Sequence, residues 1–259
     1  DYYYPLQNYD PSKSVHYIVG IEKQLNAQSI LSLDLYYKDI QRIYTFDVNE
    51  TANGVLSLSE KLQGGNGEAY GAELMIRGGT GRLSGWLSYG LAWANRAYPM
   101  TGGEKYPYDY NRRHTVKIVS NYAISDNLEY NVSFLFMSGV YRSIEQILQN
   151  YYYYNPDSED ISFFPIWGSE GKNTALMPPV MNLDMSIKKR LRSGFGKNIA
   201  DKFGADESYL TVTLKNLLFF RRNVEYYYPL AGIQRWEGKY LPIGMNLFPI
   251  MGLSYTIKF

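Results

Sequence analysis

The chain has 259 residues and a formal net charge of +1, so its charge gives no reason to expect nucleic acid as a partner. It contains no cysteine, which excludes disulfides, thiol nucleophiles and cysteine-based zinc sites. Its compositional anomaly is 27 tyrosines beside 11 phenylalanines. Tyrosine suits surfaces where an apolar phase meets water, because its ring prefers apolar surroundings and its hydroxyl prefers water.

The hydropathy of the chain excludes membrane-spanning helices. Mean hydropathy is −0.34, and no apolar run approaches the roughly 18 residues that a helical span needs. A β-barrel escapes this test, because only alternate residues of its strands face lipid. Residues 1–5 lack the basic and apolar regions of a signal peptide, so we expect either a processed leader or a longer parent chain.

Nine segments alternate between apolar and polar residues with the period of two that predicts β-strands. Residues 81–94 show the pattern clearly. Leu87 and Tyr89 share one face of that strand, while Trp86 lies on the other. In chain order, the predicted strands are 14–25, 29–39, 70–77, 81–94, 113–124, 127–140, 179–190, 208–220 and 246–259.

The connections between these strands alternate in length. Short turns are predicted at 26–28, 78–81 and 125–127. Long polar or aromatic excursions are predicted at 40–67, 95–112, 141–177 and 221–244. The connection at 191–207 is longer than the other turns and has room for a short helical stretch. Tight turns at one end and long loops at the other predict an antiparallel transmembrane β-barrel, with the turns in the periplasm and the loops outside.

The number of predicted strands is odd, and this has a consequence for the domain. With the turns in the periplasm, the chain ends there at Phe259, and its first strand begins outside. Bacterial barrels made of a single chain have an even number of strands, so at least one strand is expected before Asp1. We therefore expect residues 1–259 to be the C-terminal part of a single β-barrel domain.

Three segments, in this order, resemble parts of the TonB-dependent outer-membrane receptors. Residues 67–74 (GEAYGAEL) resemble the barrel strand of that family with an aromatic-Gly-x-Glu motif. Residues 108–115 (YDYNRRHT) resemble the D-x-R-H entry to a later strand, and residues 252–259 (GLSYTIKF) resemble the C-terminal assembly signal. The tyrosine-rich loops are similar to those of receptors of the Bacteroidetes type.

The resemblance implies that the chain supplies about nine C-terminal strands of a barrel of about 22 strands. The N-terminal plug and the earlier strands would then be absent from this chain. The family implies uptake of a scarce extracellular substrate with energy transmitted by TonB, and no enzymatic activity or cofactor. The implied partners are outer-membrane lipid and lipopolysaccharide, the plug and remaining strands, the TonB complex through the missing N-terminal region, and the barrel assembly machinery. A surface lipoprotein is left open as a further partner.

Two groups of side chains are candidates for substrate contact. Glu73, Arg77 and Trp86 are predicted to face the lumen, although such residues more often pair with each other or with a plug. The loop at 141–177 carries an aromatic group that could stack on a ligand or instead pack against its neighbours: Tyr151, Tyr152, Tyr153, Tyr154 and Trp167. His16 and His114 lie far apart in sequence and form no triad pattern, so no catalytic site is predicted. Asp157, Glu159 and Asp160 offer oxygen ligands without the glycine of a calcium loop, so no metal site is predicted.

The last strand ends on an aromatic residue followed at once by the terminal carboxylate. Tyr255, Ile257 and Phe259 alternate along it. We interpret these three residues as the assembly signal, while the simpler alternative is that they close an edge strand against lipid.

Two other classes of protein remain open from the sequence. One is a passive porin or a purely structural outer-membrane barrel. The other is a soluble, tyrosine-rich β protein that binds glycans, which would require the apolar residues of each strand to cover a packed core.

Overall fold

The computed structural model describes residues 9–46, 62–143, 146–155, 160–168, 171–218, 222–227, 241–245 and 248–259. These residues form β-strands, a 3-10 helix at Pro99–Thr101 and an α-helix, α1 (Phe195–Lys202). The strands are β1 (Lys13–Asn26), β2 (Ser29–Phe46), β3 (Leu62–Thr80), β4 (Leu83–Ala97), β5 (Tyr106–Pro107), β6 (His114–Ser125), β7 (Leu128–Met137), β8 (Tyr141–Arg142), β9 (Gln146–Asn155), β10 (Asp160–Gly168), β11 (Ala175–Leu176), β12 (Val180–Arg190), β13 (Glu207–Lys215), β14 (Arg222–Tyr227), β15 (Leu241–Met245) and β16 (Ile250–Lys258).

One antiparallel sheet dominates the fold. Its strands follow the order β1-β2-β3-β4-β6-β7-β12-β13-β16, and the short strand β5 pairs with β4 beside this path. Each of the nine predicted segments overlaps one strand of the path, which confirms the predicted all-β antiparallel fold. Three small two-stranded ribbons, β8 with β11, β9 with β10 and β14 with β15, belong to the long connections.

The short connections are two-residue turns, as the pairing of the flanking residues shows. Asn26 pairs with Ser29, Thr80 with Leu83, and Ser125 with Leu128. Two-residue loops are the tightest hairpin connections, and they hold consecutive strands in a fixed register.

Several predicted boundaries were wrong, and three of them have a local backbone explanation. Residues 78–80 belong to β3, and the turn is formed by Gly81 and Arg82, with Gly81 at a φ of 57° that glycine adopts without strain. The predicted excursion at 40–67 is shorter, because β2 and β3 continue past a bulge at Arg42, whose φ is 56°. The predicted strand 208–220 ends at Lys215, because Asn216 has a φ of 55° and donates its backbone N–H to Asp184 Oδ1 at 2.9 Å.

The register places one set of alternate side chains on a single face of all nine strands. We call this the apolar face. Opposite residues continue it from strand to strand: Leu33 with Leu74, Leu74 with Tyr89, Ile118 with Phe134, Phe134 with Leu183, Met185 with Leu214, and Val212 with Leu253. The intervening residues form the polar face, which carries Asp34, Glu73, Ser88, Asn131, Lys188 and Thr213.

The apolar face has no protein layer over it in the part of the chain that the structure describes. Its side chains are partly to largely exposed: Leu33 on β2 keeps 38% of its full accessibility, and Val19 and Leu253 on the edge strands β1 and β16 keep 69% and 72%. The buried apolar residues among those described are Tyr98, Ala200 and Ala205, and all three lie in connections. A soluble β protein would need a packed core beneath this face, and the described residues do not supply one. No helix among them has the length and apolar character to cross a membrane.

Candidate functional site

An aromatic row crosses the apolar face near the end where the long connections lie. It consists of Tyr17, Tyr37, Tyr70 and Trp93, which are cross-strand partners on β1 to β4. Their ring centroids are separated by 6.4, 6.4 and 5.2 Å. The guanidinium carbon of Arg113 lies 4.1 Å from the centroid of the Trp93 ring, a cation–π contact. We call these four aromatic residues the loop-side aromatic row.

A second aromatic group lies near the opposite end of the same face. Tyr122 and Tyr130 are cross-strand partners on β6 and β7, and Tyr122 also lies opposite Leu83 on β4. We call them the turn-side aromatic pair. Ten positions separate Leu83 from Trp93 on β4, which corresponds to about 33 Å along an extended strand. The residues between these two aromatic levels form a mainly apolar band, in which Lys23, Ser120 and His114 are polar members.

The three predicted lumen residues share the polar face. Arg77 lies directly opposite Trp86, and Glu73 lies opposite Asp34 on one neighbouring strand and Gly90 on the other. The register therefore brings Glu73 and Asp34, two acidic residues, side by side. Directly opposite like charges repel each other, so this position favours a cation or a donor group above the sheet.

Charged residues form a network at the turn end of the polar face. Lys188 Nζ lies 3.9 Å from Glu129 Oε2 and 4.4 Å from the centroid of the Tyr209 ring. Arg190 Nη2 lies 2.6 Å from Glu207 Oε1, and the Tyr209 hydroxyl donates to the other oxygen of Glu207. These groups are about one-third exposed, and such pairs add little stability. Lys188, which lies on the same face as the three predicted lumen residues, is thus engaged with its neighbours, as the simpler alternative for that face expects.

The long connections meet at a buried asparagine. Asn173, only 2% exposed, donates through Nδ2 to Pro107 O at 2.7 Å and to Asp109 Oδ1 at 2.8 Å. Its backbone N–H donates to Ser143 Oγ at 2.9 Å. Arg142 Nη1 donates to Asp109 O at 2.9 Å. We call these five residues the Asn173 cluster, and it joins the connection between β4 and β6 to the connection between β7 and β12.

The same two connections are held close to each other at further points. Arg112 Nη1 donates to Ser138 O at 2.6 Å, and burial lowers the pKa of the Arg112 guanidinium from its ordinary value. A Cβ placed on Gly139 would lie 1.6 Å from the carbonyl oxygen of Met177, so only glycine fits there. The short β8–β11 ribbon follows directly from this close approach.

Tyrosines fill the space beneath the connection between β4 and β6. Tyr98 is buried at 8% exposure and lies over Gly65, where a Cβ would be 2.4 Å from its ring. Tyr106 lies 6.3 Å from Tyr98 between ring centroids, and burial raises the pKa of the Tyr106 hydroxyl to about 12. Arg96 stacks on the Tyr108 ring at 4.1 Å. This connection therefore forms an aromatic platform, in which the Tyr106 hydroxyl stays protonated at neutral pH.

The predicted aromatic group of Tyr151 to Tyr154 and Trp167 lies on a hairpin. In the β9–β10 register, Tyr151 pairs with Phe164, Tyr152 with Phe163, Tyr153 with Ser162, Tyr154 with Ile161 and Trp167 with Ile147. Tyr152 and Tyr154 share one side of β9 and are 63% and 59% exposed. The side chains of Tyr151, Tyr153 and Trp167 fall outside the described part of the chain. The hairpin thus presents two tyrosine rings on one side to its surroundings.

The recognised sequence motifs have structural roles. Gly71, of the aromatic-Gly-x-Glu segment, lies opposite Tyr36, and a Cβ there would be 2.8 Å from the Tyr36 hydroxyl oxygen. Asp109, of the 108–115 segment, is the acceptor in the Asn173 cluster, and His114 Nδ1 lies 2.9 Å from the Tyr89 hydroxyl. Sequence reasoning missed Asn173, although the run Gly171-Lys172-Asn173 is a turn signal.

The predicted assembly-signal residues lie on or just after β16. Tyr255 and Ile257 belong to the apolar face, opposite Leu210 and Ser208. The Tyr255 hydroxyl donates to the carbonyl oxygen of Gly196 in α1. Phe259 follows the last strand residue and is 78% exposed.

Clusters of three or more His, Asp or Glu side chains that could hold a metal ion are not found among the described residues.

Comparison with known proteins identifies the fold. No protein-family model matches the chain, and no curated protein matches it. Among solved structures, it is similar to the ferric-catecholate import receptor Fiu from E. coli K12 in its closed form, at 14% identity and a TM-score of 0.54, over 83% of this chain and 24% of Fiu. It is also similar to the ferripyoverdine receptor of the outer membrane of Pseudomonas aeruginosa bound to ferripyoverdine, at 12% identity and a TM-score of 0.54, over 82% of this chain and 24% of that one.

The similarity covers most of this chain but only about a quarter of either receptor. At such low identity, the shared feature is the fold. The nine-strand antiparallel sheet of this chain therefore has a fold that is also found within these two receptors.

Proposed function

We propose that this chain forms a sector of the wall, lumen and extracellular loops of a TonB-dependent outer-membrane receptor of the Bacteroidetes type, which takes up a scarce extracellular substrate. The apolar face would contact the outer membrane and its lipopolysaccharide, and the polar face would line the lumen. TonB would act through an N-terminal region that is not part of this chain. A surface lipoprotein could cover the loops from outside.

The observation that carries the proposal is the height of the apolar band. The distance of about 33 Å along β4 between the aromatic levels becomes about 25 Å across the membrane when strands tilt by the 35–45° of outer-membrane barrels. That is the height of the apolar band in such barrels, which is also flanked by aromatic girdles at both interfaces. The loop-side aromatic row and the turn-side aromatic pair supply these girdles.

The edges of the sheet support a larger barrel. In the described residues, β1 pairs only with β2, and β16 pairs only with β13. Open edges of this length promote association, and a transmembrane sheet must close on itself to satisfy its backbone groups. We infer that residues 1–259 are the C-terminal part of a single barrel domain of about 22 strands, with the earlier strands and the plug supplied by the rest of the protein.

Substrate contact is assigned to the loop end and to the polar face. Tyr152 and Tyr154 on the β9–β10 hairpin offer exposed rings for stacking, and we extend this role to Tyr151, Tyr153 and Trp167. Glu73, Arg77 and Trp86 would lie along the substrate path below. Either set could instead contact the plug. The two neighbours import or bind iron chelates, so an iron–siderophore complex is the substrate class to test first.

The competing function is that of a passive porin, and electrical recording on the full-length native protein separates the two. A receptor whose lumen is filled by a plug should show almost no steady ion conductance in a planar bilayer, and its uptake in cells should stop when the proton gradient is collapsed. Steady open-channel conductance, together with uptake that survives collapse of the gradient, would contradict the proposal.

We assign Tyr255, Ile257 and Phe259 to recognition by the barrel assembly machinery. Removing Phe259 should slow insertion of newly made protein into the outer membrane, because the exposed terminal ring would be the recognised group. The unfolding midpoint of barrels already assembled should change little, because an exposed terminal ring packs against few neighbours. Pulse-chase insertion and urea unfolding measure the two effects, and an equal loss in both would count against a signalling role.

A further inference from the structure

The connection between β12 and β13 contains the one α-helix of the described residues. It starts after Gly194, which has a φ of 83°, and ends before Gly204, which has a φ of 69°. The backbone N–H of Gly204 donates to Asp201 O, and that of Ala205 donates to Ala200 O at 2.9 Å, so the C-terminal end is closed by a glycine in the left-handed region. α1 therefore begins and ends at defined residues.

One side of α1 packs against the turn end of the sheet. Ala200 is fully buried, and Ala205 is 4% exposed. The Tyr255 hydroxyl donates to Gly196 O, and a Cβ on Gly196 would lie 2.4 Å from Leu191 Cδ1. These small residues allow close approach, and the contact with Tyr255 places α1 at the turn end of the apolar face, because Tyr255 belongs to that face.

The neighbouring side of α1 exposes large aromatic side chains. Phe195 is 82% exposed and Phe203, directly after the helix, is 66% exposed. With Ile199 they follow a four-residue spacing, so they form one apolar stripe beside the buried side. Lys202 flanks this stripe one position before Phe203, and the Lys197–Asp201 ion pair at 2.6 Å lies on the polar side.

We propose that α1 is an interfacial membrane helix, and that Phe195 and Phe203 insert among the phospholipids of the periplasmic leaflet beside the barrel. This inference rests on the proposed function, since it requires the apolar face to contact lipid. The occupant of the exposed stripe is phospholipid because the stripe continues the apolar face through Tyr255 rather than the polar face that would meet a plug. An amphipathic helix of this kind lies with its apolar side roughly 5–10 Å below the headgroups.

A lysine on the sheet marks the headgroup level at the same end. Lys189 occupies an apolar-face position opposite Leu128 and Leu210, one step beyond Ile187 towards the turns. A lysine at the end of a lipid-facing strand extends its ammonium to the phosphates while its carbon chain remains among apolar groups. Lys189 and α1 therefore lie at the same level, that of the lipid headgroups. α1 would fix how deeply this sector lies in the membrane.

Spin labels on the full-length receptor test the inference. The chain has no cysteine, so Phe195→Cys, Phe203→Cys, Asn198→Cys and Leu253→Cys can each carry a single label within it. The receptor is placed in vesicles of phosphatidylethanolamine and phosphatidylglycerol, and the collision rates of each label with oxygen and with a water-soluble nickel chelate are measured. Labels at positions 195 and 203 should favour oxygen and report a depth of roughly 5–10 Å. The label at position 253 should lie deeper, and the label at position 198, on the polar side of α1, should favour nickel.

Three other results would overturn the interfacial helix, the proposed function or both. If positions 195 and 203 favour nickel while position 253 favours oxygen, the barrel assignment stands and the interfacial helix is wrong. If positions 195 and 203 are shielded from both reagents, another protein segment covers the stripe, and the inference is again overturned. If position 253 also favours nickel, the apolar face does not contact lipid and the proposed function fails with it.

Discussion

Replacing Leu74 by arginine should destabilise the assembled barrel by roughly 2–4 kcal/mol, the cost of a cation on the lipid face near the bilayer midplane. Leu74 lies between Leu33 and Tyr89 on the apolar face, below the loop-side aromatic row and above the turns. Its position near the middle of the apolar band leaves the guanidinium far from either aqueous phase. Urea unfolding of the full-length receptor in vesicles, followed by intrinsic fluorescence, measures the loss.

The adjacent residue provides the matched control. Met75 lies on the polar face, opposite Ser32 and Ser88, so Met75→Arg adds the same charge at the same height towards water. Its effect should stay within about 0.5 kcal/mol, as is usual for surface substitutions. Equal destabilisation by both variants would mean that the two faces do not differ in their surroundings. A larger loss for Met75→Arg would mean that the faces are reversed.

Replacing Asn173 by aspartate should open the two long connections that the Asn173 cluster joins. The variant turns a donor to Asp109 into a second carboxylate at a buried position, and it leaves Pro107 O without its partner. Loss of a buried hydrogen bond to a charged group costs roughly 1.5–3 kcal/mol, and the unpaired acceptor adds about 1–3 kcal/mol. Hydrogen exchange at the backbone N–H groups of Asn173 and Met177, which bond to Ser143 Oγ and Val140 O, should accelerate on the order of 100-fold.

Two comparisons distinguish charge repulsion from the loss of hydrogen bonds in Asn173→Asp: exchange at low pH, and exchange in the variant Asn173→Gly. Lowering the pH should restore part of the protection in Asn173→Asp, because protonating either carboxyl removes the repulsion and returns an O–H donor. Asn173→Gly keeps the φ of 53° without a side chain, so it should accelerate exchange less at neutral pH and show no recovery in acid. Exchange in Asn173→Asp that matches the unmodified protein would show that the cluster does not hold the connections together.

The strands and their faces could be predicted from the sequence because a period of two is a local signal. The alternation of Leu87 and Tyr89 with Trp86 is enough to assign the two sides of β4. Tight turns fix the register between neighbouring strands, so the same two faces continue across the sheet. Once the order of the strands is known, the meeting of Tyr17, Tyr37, Tyr70 and Trp93 in one row follows from register alone.

The parts that sequence reasoning missed depend on contacts between distant residues. Asn173 bonds to Asp109, 64 positions away, and Tyr255 bonds to Gly196, 59 positions away. In neither pair does the local sequence around one residue identify its distant partner. The tyrosines of β9 also break the period-two signal, because four identical side chains in succession do not distinguish one side of a strand from the other. The hairpin with β10 could therefore be recognised only from the structure.

The central claim is that alternate residues of one strand contact acyl chains while their neighbours contact water. Six single-cysteine variants of the full-length receptor, at positions 86 to 91 of β4, can each carry a fluorescent label in vesicles that contain brominated phospholipid. Labels at positions 87, 89 and 91 should be quenched by bromine, and labels at positions 86, 88 and 90 should not. Quenching that is equal at all six positions, or that is confined to the even-numbered ones, would contradict the account.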